Sequence, residues 1–438
     1  MPHQKEIVRR NLVIIGAVYL MATFLTGPLP PRAVSDQWHF KAGPIYLGRP
    51  VTLTGDSPHY LLILNSLIED WDIDLSNNHR QVREGDWDAG TRYRFSFFGD
   101  HVDIDRLGQS LSIHSPFMPV LMALILWPFQ GSEWVESLSI YLCLLVVWIG
   151  IYVFMRWKPQ HANWGLVLGL ASPLFWYGRD LWTEPWQATI WLLLLACPSL
   201  PLLALLAIYG TLIKYTFFVV PMMMGLVDLW RGMYRRAMFL CSGAAAGLLI
   251  AFLWAQYTFR FTDHVDLFHM AFHRREGSYN SVSGLANFES IFDFLGAFER
   301  LGSFFGSLGG TGIWGLLVSP SQGILPFFPI FVWGFWSFRK GGRIYIPAIT
   351  YFLLHASYLG WRAGTGFSAR YLVTLLPILV LGVAESRRRP RWLFSICLSY
   401  SLLWGLLAGF LPVSVIERGP LEVLVFLAEE LGLLSESL

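Results

Sequence analysis

The sequence predicts an all-α polytopic membrane protein with about eleven transmembrane helices and a long first outer loop that carries juxtamembrane helices. Of the 438 residues, 54% are hydrophobic and only 14% are charged, and the mean hydropathy is +0.48. Soluble domains carry about 25% charged residues, so a soluble core could not absorb this much apolar sequence. The 20 tryptophans are typical of many interface crossings. A net charge of +2 gives no indication of a nucleic-acid partner.

Clusters of Lys and Arg set the predicted orientation, because loops on the cytoplasmic side of a membrane are enriched in these residues. The clusters are Arg9-Arg10, Arg156-Trp157-Lys158, 231–236, 339–343 and 387–391. If all five are cytoplasmic, the chain crosses an even number of times between any two of them. This rule predicts a multi-pass protein of the plasma (inner) membrane with a cytoplasmic N-terminus. Residues 28–115 and 258–319 then form two outer loops within a single integral domain, 1–438.

The apolar runs between these clusters give the predicted elements in order. The first span covers 12–25. The run 116–129 is too short to cross the membrane and is predicted to form a juxtamembrane or re-entrant helix with both ends on the outer side. Further spans are predicted at 135–154, 164–177, 237–257, 324–336, 344–359, 372–383 and 392–410, with three short spans between 185 and 230. The segment 421–434 either spans the membrane or lies in its interface. This threading brings a set of ionisable residues to the same outer boundary: Asp56, Asp72, Asp74, His114, Arg179, Asp180, Glu184, Lys214, Arg362 and Arg370.

Asp56 lies in the sequence Gly55-Asp56-Ser57-Pro58, directly before an apolar helix predicted over 60–68. Ser and Pro suit the start of a helix, so Asp56 could serve only as a helix cap. The other interpretation is a general base or metal-binding carboxylate in a water-filled cavity above the membrane. Both interpretations stay open at this point.

Two further carboxylates, Asp72 and Asp74, follow the same helix. They either form Asx turns in a solvated loop or bind a divalent cation or the acceptor through their oxygen atoms. His114, which precedes Ser115-Pro116, lies close to this acidic loop in the sequence and is a candidate catalytic residue.

The remaining candidates are ionisable groups at span ends, where such groups are functional candidates. Arg179, Asp180 and Glu184 flank a break between spans, and they either join two helices or take part in function. Lys214 lies within an apolar stretch and either reaches the interface or pairs with an anion. The sequence Gly364-Thr365-Gly366 leads into Arg370-Tyr371 at the start of a span, where a helix N-terminus favours phosphate; the alternative is anchoring by Arg and Tyr in the interface.

Three passages together resemble the GT-C superfamily of membrane glycosyltransferases, which includes protein O-mannosyltransferases and the lipid A aminoarabinose transferase. They are Gly55-Asp56-Ser57-Pro58-His59-Tyr60 running into Asp72-Ile73-Asp74, then Ser319-Pro320-Ser321-Gln322-Gly323, and finally Gly366-Phe367-Ser368-Ala369-Arg370-Tyr371. The resemblance implies a GT-C-like fold and a polyprenyl-phosphate-linked sugar donor used at the outer face. It also implies that Asp56 is the base or metal-linked carboxylate, that Glu184 matches an acidic residue of the family, and that Arg370 and Lys214 neutralise the donor phosphate.

The residues and the resemblance together predict a glycosyltransferase that moves a sugar, with inversion, to a glycan, lipid or protein acceptor. The predicted catalytic residues are Asp56, Glu184 and His114; the predicted donor-phosphate residues are Lys214, Arg370, Arg362, Arg179 and Tyr371; the predicted metal or acceptor residues are Asp72 and Asp74. The partners are membrane lipid, the lipid-linked donor and the acceptor, and a requirement for a divalent cation is left open. The alternatives are a transporter or flippase of lipid-linked glycans and a ligase or polymerase that joins them.

Overall fold

The structure is a computed structural model, and it describes the larger part of the chain. The described residues are 2–26, 40–42, 45–47, 56–78, 102–104, 110–112, 114–131, 134–259, 311–357, 368–386, 389–410 and 419–430. Helices dominate this part, so the predicted all-α class is confirmed. The predicted outer loops, 28–115 and 258–319, lie largely outside the described residues.

The first part of the chain contributes a long N-terminal helix, two shorter helices and then the central helices. In chain order these are α1 (Pro2–Thr26), α2 (Ser57–Glu69), α3 (Phe117–Leu126), α4 (Val135–Trp157), α5 (Trp164–Leu170), α6 (Leu174–Tyr177), α7 (Thr183–Ala196), α8 (Leu200–Ile213), α9 (Val219–Trp230) and α10 (Tyr234–Phe259). Short 3₁₀ turns follow α3 at Trp127–Phe129, α4 at Pro159–His161 and α8 at Tyr215–Phe218.

The second half is more interrupted. Its helices are α11 (Thr311–Val318), α12 (Ile324–Phe327), α13 (Val332–Trp336), α14 (Gly342–Ser357), α15 (Leu376–Glu385), α16 (Arg391–Phe410) and α17 (Pro420–Glu430). A 3₁₀ helix, Arg370–Leu375, leads into α15, and further 3₁₀ turns lie at Pro329–Phe331 and Ser337–Lys340. Two antiparallel hairpins pair β1 (Phe40–Ala42) with β2 (Ile45–Leu47) and β3 (Val102–Ile104) with β4 (Ser110–Ser112).

Three described helices are long and apolar enough to cross a membrane, at Ser137–Trp157, Tyr234–Trp254 and Arg391–Gly409. By length and composition the chain is therefore a multi-pass membrane protein. Their outward positions carry exposed apolar side chains, for example Leu249 and Leu403, as expected for helices that face lipid. The predicted number of about eleven spans stays a prediction, because several apolar segments are shorter than a full crossing.

Two segments that the sequence predicts as single spans, 164–177 and 324–336, are broken in the structure. The first is divided into α5 and α6 at Ser172-Pro173, and the second into α12 and α13 around Pro329. Proline has no N–H to donate and its ring clashes with the preceding turn, which explains both breaks. The segment 116–129 forms α3 and a 3₁₀ turn, in agreement with the predicted short helix.

Close packing of α8 against α10 depends on two glycines one turn apart. A Cβ atom added at Gly243 would lie 2.7 Å from the carbonyl oxygen of Ala204, and one added at Gly247 would lie 3.0 Å from that of Ile208. Small residues let two helix backbones approach closely in this way. These two glycines therefore let α8 and α10 pack closely against each other, and this contact positions the C-terminal end of α8, which Lys214 follows.

Several helices run between two charged ends of the bundle. Helix α7 begins beside Glu184 and ends at Ala196, where Arg236 donates hydrogen bonds to the carbonyl oxygens of Leu194 and Cys197. At 1.5 Å per residue, the 14 residues of α7 span about 21 Å. We call the end that carries Glu184, Lys214 and Arg370 the site end, and the end that carries Arg231, Arg236 and Arg343 the arginine end.

Candidate functional site

Arg370 is the centre of a buried charge cluster at the site end. Its Nε donates to Oε1 of Glu184 at 2.9 Å, and its Nη2 forms an ion pair with Oδ2 of Asp56. The arginine side chain is only 4% exposed, and its guanidinium carbon lies 4.0 Å from the ring centroid of Trp182. A planar guanidinium with several donors can engage two carboxylates at once while resting on an aromatic face.

Lys214 completes the cluster from the opposite side of Glu184. Its Nζ lies 2.7 Å from the same Oε1 atom that Arg370 contacts, and it also lies 4.9 Å from the ring centroid of Tyr371. We call Asp56, Glu184, Lys214 and Arg370 the charge cluster. Its two cations and two carboxylates give it no net charge. Asp56 and Lys214 are the members that reach solvent, and their side chains are each 19% exposed.

The side chain of Asp56 does not cap α2. The residue does sit at the start of α2, where its backbone carbonyl accepts hydrogen bonds from the N–H groups of His59 and Tyr60 at 3.1 and 3.2 Å. Its side chain makes no capping hydrogen bond. The carboxylate instead reaches Arg370, so the side chain of Asp56 is not used to cap the helix, and its role as a base or metal ligand stays a prediction.

The surroundings of Asp56 strongly favour its ionised form. Burial alone raises the pKa of this carboxyl, but the neighbouring Arg370 guanidinium, with smaller contributions from His114 and Lys214, holds the pKa well below its usual range. The pKa of Arg370 rises in turn, since the two carboxylates outweigh the effect of burial. In this arrangement Asp56 is a weak base as long as Arg370 remains its partner.

Local structure explains why these residues meet. Glu184 is in the first turn of α7, where a negative charge is favoured by the helix dipole. Lys214 is the extended residue that ends α8, and Arg370 begins the 3₁₀ helix that precedes α15. Asp56 directly precedes α2. Each member of the cluster thus lies at a helix end, and the packing of the four helices brings the ends together.

A network of hydrogen bonds between uncharged side chains adjoins the charge cluster. Gln187, one turn after Glu184, donates from Nε2 to the carbonyl oxygen of Lys214 at 3.3 Å, and its Oε1 accepts from the hydroxyl of Thr374 at 3.1 Å. The Tyr351 hydroxyl donates to Thr374 Oγ1 at 3.2 Å. These three buried side chains were not predicted from the sequence. The spacing of Glu184 and Gln187 on one helix face was the available signal, since residues three apart are neighbours on a helix.

Two predicted residues line the edges of the cluster. The His114 ring stacks on His59 with centroids 5.1 Å apart and lies 5.3 Å from the ring of Tyr60, and it borders a small cleft that also includes Leu111 and Trp254. Tyr371 lies between Lys214 and His355, whose ring centroid is 4.8 Å away. His114 therefore lies beside Asp56, and Tyr371 beside Lys214.

Arg179 and Asp180 lie in the buried turn before α7. Arg179 donates from Nη1 to the carbonyl oxygen of Gly409, near the end of α16, and its guanidinium lies 5.6 Å from the ring of Phe175. Asp180 accepts a hydrogen bond from the backbone N–H of Leu181 at 2.7 Å. These contacts join the turn to α16, and the predicted role of Arg179 in binding the donor phosphate stays a prediction.

Asp72 and Asp74 organise a local turn after α2. Asp72 accepts from the Ser66 hydroxyl at 2.8 Å and from the backbone N–H of Asp74 at 3.1 Å, and Asp74 accepts from Ser76 at 2.6 Å. Within the described ranges, no three His, Cys, Asp or Glu side chains come together as ligands for a metal ion. Arg362 and the glycine-rich turn 364–366 lie outside the described residues, as do the larger parts of both predicted outer loops.

Comparison with known proteins gives one solved structure. No family model matches the sequence, and no curated protein matches it. The apo crystal structure of ArnT from Cupriavidus metallidurans is similar over 87% of this chain and 61% of that chain, with 16% sequence identity and a TM-score of 0.40. The chain thus spans about three-fifths of the length of that protein. The function of this chain is therefore inferred from its own residues.

Proposed function

We propose that this protein is a GT-C-type membrane glycosyltransferase that moves a sugar from a polyprenyl-phosphate donor to an acceptor hydroxyl at the site end. The observation that carries the proposal is the contact of Arg370 with both Asp56 and Glu184, with Lys214 on the far side of Glu184. A transfer from a phosphate leaving group needs a base for the acceptor and cations for the leaving charge. The charge cluster supplies both, within hydrogen-bonding distance of one another.

In the proposed reaction, Asp56 accepts the proton of the acceptor hydroxyl as its oxygen attacks the anomeric carbon of the sugar. The bond between the anomeric carbon and the phosphate oxygen breaks, and the polyprenyl phosphate leaves with both bonding electrons. Arg370 and Lys214 stabilise the charge that develops on the departing phosphate. Attack from the side opposite the leaving group inverts the configuration at the anomeric carbon.

The balanced state of the cluster implies an order of events. While Arg370 is paired with Asp56, the carboxylate is a weak base, because the cation holds its pKa low. We expect a donor phosphate to take the place of Asp56 as the partner of Arg370. Asp56 then loses its contact with the guanidinium and gains a negatively charged neighbour, and both changes raise the pKa of Asp56. The donor therefore activates the base on arrival, and the acceptor is deprotonated only when the donor is in place.

Glu184 has a different role in this scheme. It is fully buried and contacts Arg370 at 2.9 Å and Lys214 at 2.7 Å through one oxygen atom. It holds the two cations close together, so that both can reach one phosphate group. Since it remains between them, Glu184 positions the cations and does not exchange protons with the acceptor.

The direct test measures release of polyprenyl phosphate. Purified protein in nanodiscs is incubated with polyprenyl-phosphate-linked sugars and an envelope extract as acceptor, and the released lipid phosphate is quantified. We expect turnover by the wild type and a rate about 100- to 10,000-fold lower for Asp56→Asn, which removes the base. The matched control is Asp70→Asn, which removes an exposed carboxylate directly after α2, outside the charge cluster, and should keep the rate near that of the wild type.

Two outcomes would count against the proposal. Equal rates for Asp56→Asn and the wild type would remove Asp56 from the chemistry. Movement of the intact lipid-linked sugar across the bilayer without release of polyprenyl phosphate would instead establish a transporter.

A further inference from the structure

A second charge cluster lies at the arginine end, away from the proposed active site. Its centre is Asp228 on α9, whose side chain is fully buried. Oδ2 of Asp228 lies 3.1 Å from Nε of Arg236 on α10, and Oδ1 lies 3.1 Å from Nε of Arg343 on α14. One carboxylate therefore joins three helices.

A third arginine makes this cluster positively charged. Arg231 follows α9, and a Cβ atom added at Gly342 would lie 2.9 Å from its Nη2, so the missing side chain at Gly342 lets the guanidinium approach the start of α14. Three arginines around one carboxylate leave two positive charges in excess. The neighbouring Lys340 does not share this excess, because it pairs with Glu385 at 2.9 Å.

The arginines differ in how many of their donors are already used. Arg236 donates from Nη1 and Nη2 to the carbonyl oxygens of Cys197 and Leu194, at 3.2 and 2.7 Å. Nη2 of Arg343 is buried and has no hydrogen-bond partner among the described residues. A buried guanidinium N–H without a partner is unfavourable, and this one lies beside the exposed Arg231. The donor without a partner therefore belongs to Arg343, next to the residue that Arg231 approaches.

The surroundings of the cluster match the boundary between lipid and water. Trp230 and Tyr234, on either side of Arg231 in sequence, are 82% and 68% exposed. Exposed Trp and Tyr are typical of the level of the lipid headgroups. A ligand that reaches Arg231 and Arg343 would sit at that level, which favours a headgroup over a solute.

We propose that Arg231, Arg236 and Arg343, assembled around Asp228, bind the phosphate of an anionic phospholipid headgroup. Arg231 and Arg343 donate to the phosphate oxygens, Arg236 adds charge, and Asp228 fixes the spacing of the guanidinium groups. Basic pockets between transmembrane helices on the cytoplasmic side suit such headgroups, and the arginine end is the end predicted to be cytoplasmic. This site is separate from the charge cluster, since the 16 residues of α14 span about 24 Å between the two ends.

The test uses the full-length protein and does not depend on its activity. Delipidated protein in a neutral detergent is titrated with phosphatidylglycerol, phosphatidylcholine or inorganic phosphate, and thermal stability and bound lipid (by native mass spectrometry) are measured. A ligand that binds only the folded state raises the unfolding temperature. We expect phosphatidylglycerol to stabilise the wild type and to remain bound, whereas phosphatidylcholine does neither.

Arg231→Gln is the informative variant, because Arg231 is exposed and its loss leaves Asp228 with two partners. The loss of one charge-assisted contact should weaken phosphatidylglycerol binding about ten-fold or more. Arg235→Gln is the matched control: Arg235 is also exposed and lies four residues after Arg231, in the first turn of α10, and its replacement should change the affinity by less than about two-fold.

Equal effects of Arg231→Gln and Arg235→Gln would overturn the proposal, since binding would then follow overall charge. Equal stabilisation by phosphatidylcholine would overturn it as well. An equal rise in unfolding temperature with inorganic phosphate at the same concentration would assign the site to a soluble anion and would overturn the assignment to a lipid headgroup.

Discussion

Arg370 and Asp56 are separated by 314 positions in the chain and form an ion pair at the site end. The same guanidinium holds Glu184, 186 positions away. The N-terminal loop region, the middle of the chain and its last third therefore meet at one side chain. A single conformational step that releases Asp56 from Arg370 would change both the strength of the base and the charge offered to a phosphate.

Replacement of Arg370 by lysine should weaken donor binding without unfolding the protein. Lysine keeps the positive charge but lacks the planar fork that engages two oxygen atoms at once. The loss of one charge-assisted contact costs about 1.5–3 kcal/mol, which corresponds to a donor affinity roughly ten- to one-hundred-fold lower. Titration of a non-hydrolysable polyprenyl-phosphate donor in nanodiscs measures this, with Arg235→Lys at the opposite end as the control. An unchanged donor affinity in both Arg370→Lys and Lys214→Ala would locate the phosphate elsewhere.

The pair formed by Lys214 and Glu184 should be strongly coupled in stability. Glu184 is fully buried and Lys214 is 19% exposed, so removal of either partner leaves the other poorly compensated. In a double-mutant cycle of Lys214→Ala and Glu184→Gln we expect a coupling free energy of about 0.5–3 kcal/mol, the range for residues in contact. Thermal or denaturant unfolding in detergent gives the four stabilities.

The matched control for that cycle is Lys340→Ala with Glu385→Gln at the arginine end. These side chains are 39% and 27% exposed, and exposed ion pairs contribute about 0.2–1 kcal/mol. A coupling for Lys214 and Glu184 no larger than the one for this control would contradict the expected strong coupling of the buried pair.

Asp56 should make the stability of the protein depend on pH in the acidic range. Its pKa is held well below the ordinary value by Arg370 once the chain is folded, whereas an unfolded Asp titrates near about 3.9. A lowered carboxyl pKa contributes stability above the unfolded pKa and loses it as the pH falls toward the folded pKa. The stability difference between the wild type and Asp56→Asn should therefore be constant from about pH 5 to 8 and shrink below about pH 4. Unfolding midpoints of both proteins from about pH 8 to below about pH 4 measure the effect, and a difference that stays constant below about pH 4 would contradict the ion pair.

The predicted orientation can be tested by labelling single cysteines in a cysteine-free background. Ser76→Cys follows α2 and Thr365→Cys precedes Arg370, and both are predicted to face outward. Arg235→Cys lies at the arginine end, which the basic clusters predict to be cytoplasmic. In intact cells an impermeant thiol reagent should label the first two and should label the third only after permeabilisation. Labelling of Ser76→Cys without Thr365→Cys would separate the two loops and contradict the predicted threading.

Composition and hydropathy predict the class of the protein and its candidate site residues. Hydropathy can be averaged over one helix length, so the apolar runs 135–154, 237–257 and 392–410 predicted spans where the structure has the long helices Val135–Trp157, Tyr234–Phe259 and Arg391–Phe410. Proline positions also indicated short spans between 185 and 230, where the structure has α7, α8 and α9. The sequence also indicated Asp56, Glu184, Lys214 and Arg370 as candidates. Ionisable side chains are costly in apolar surroundings, so those near membrane spans are candidates for a functional role.

Helix packing determines which of these charged side chains come into contact. The capping position of Asp56 is a local property, but the direction of its side chain depends on Arg370, which arrives from the far end of the chain. Arg179 was an equally good candidate in sequence, and its contact with Gly409 is decided by how α16 packs. Gln187, Thr374 and Tyr351 carry no sequence signal as a group, because their hydrogen bonds join three separate elements. Charge and hydropathy can be read from neighbouring residues in the sequence. The choice of an ion-pair partner depends on helix packing, and the candidate site is assembled by helix packing.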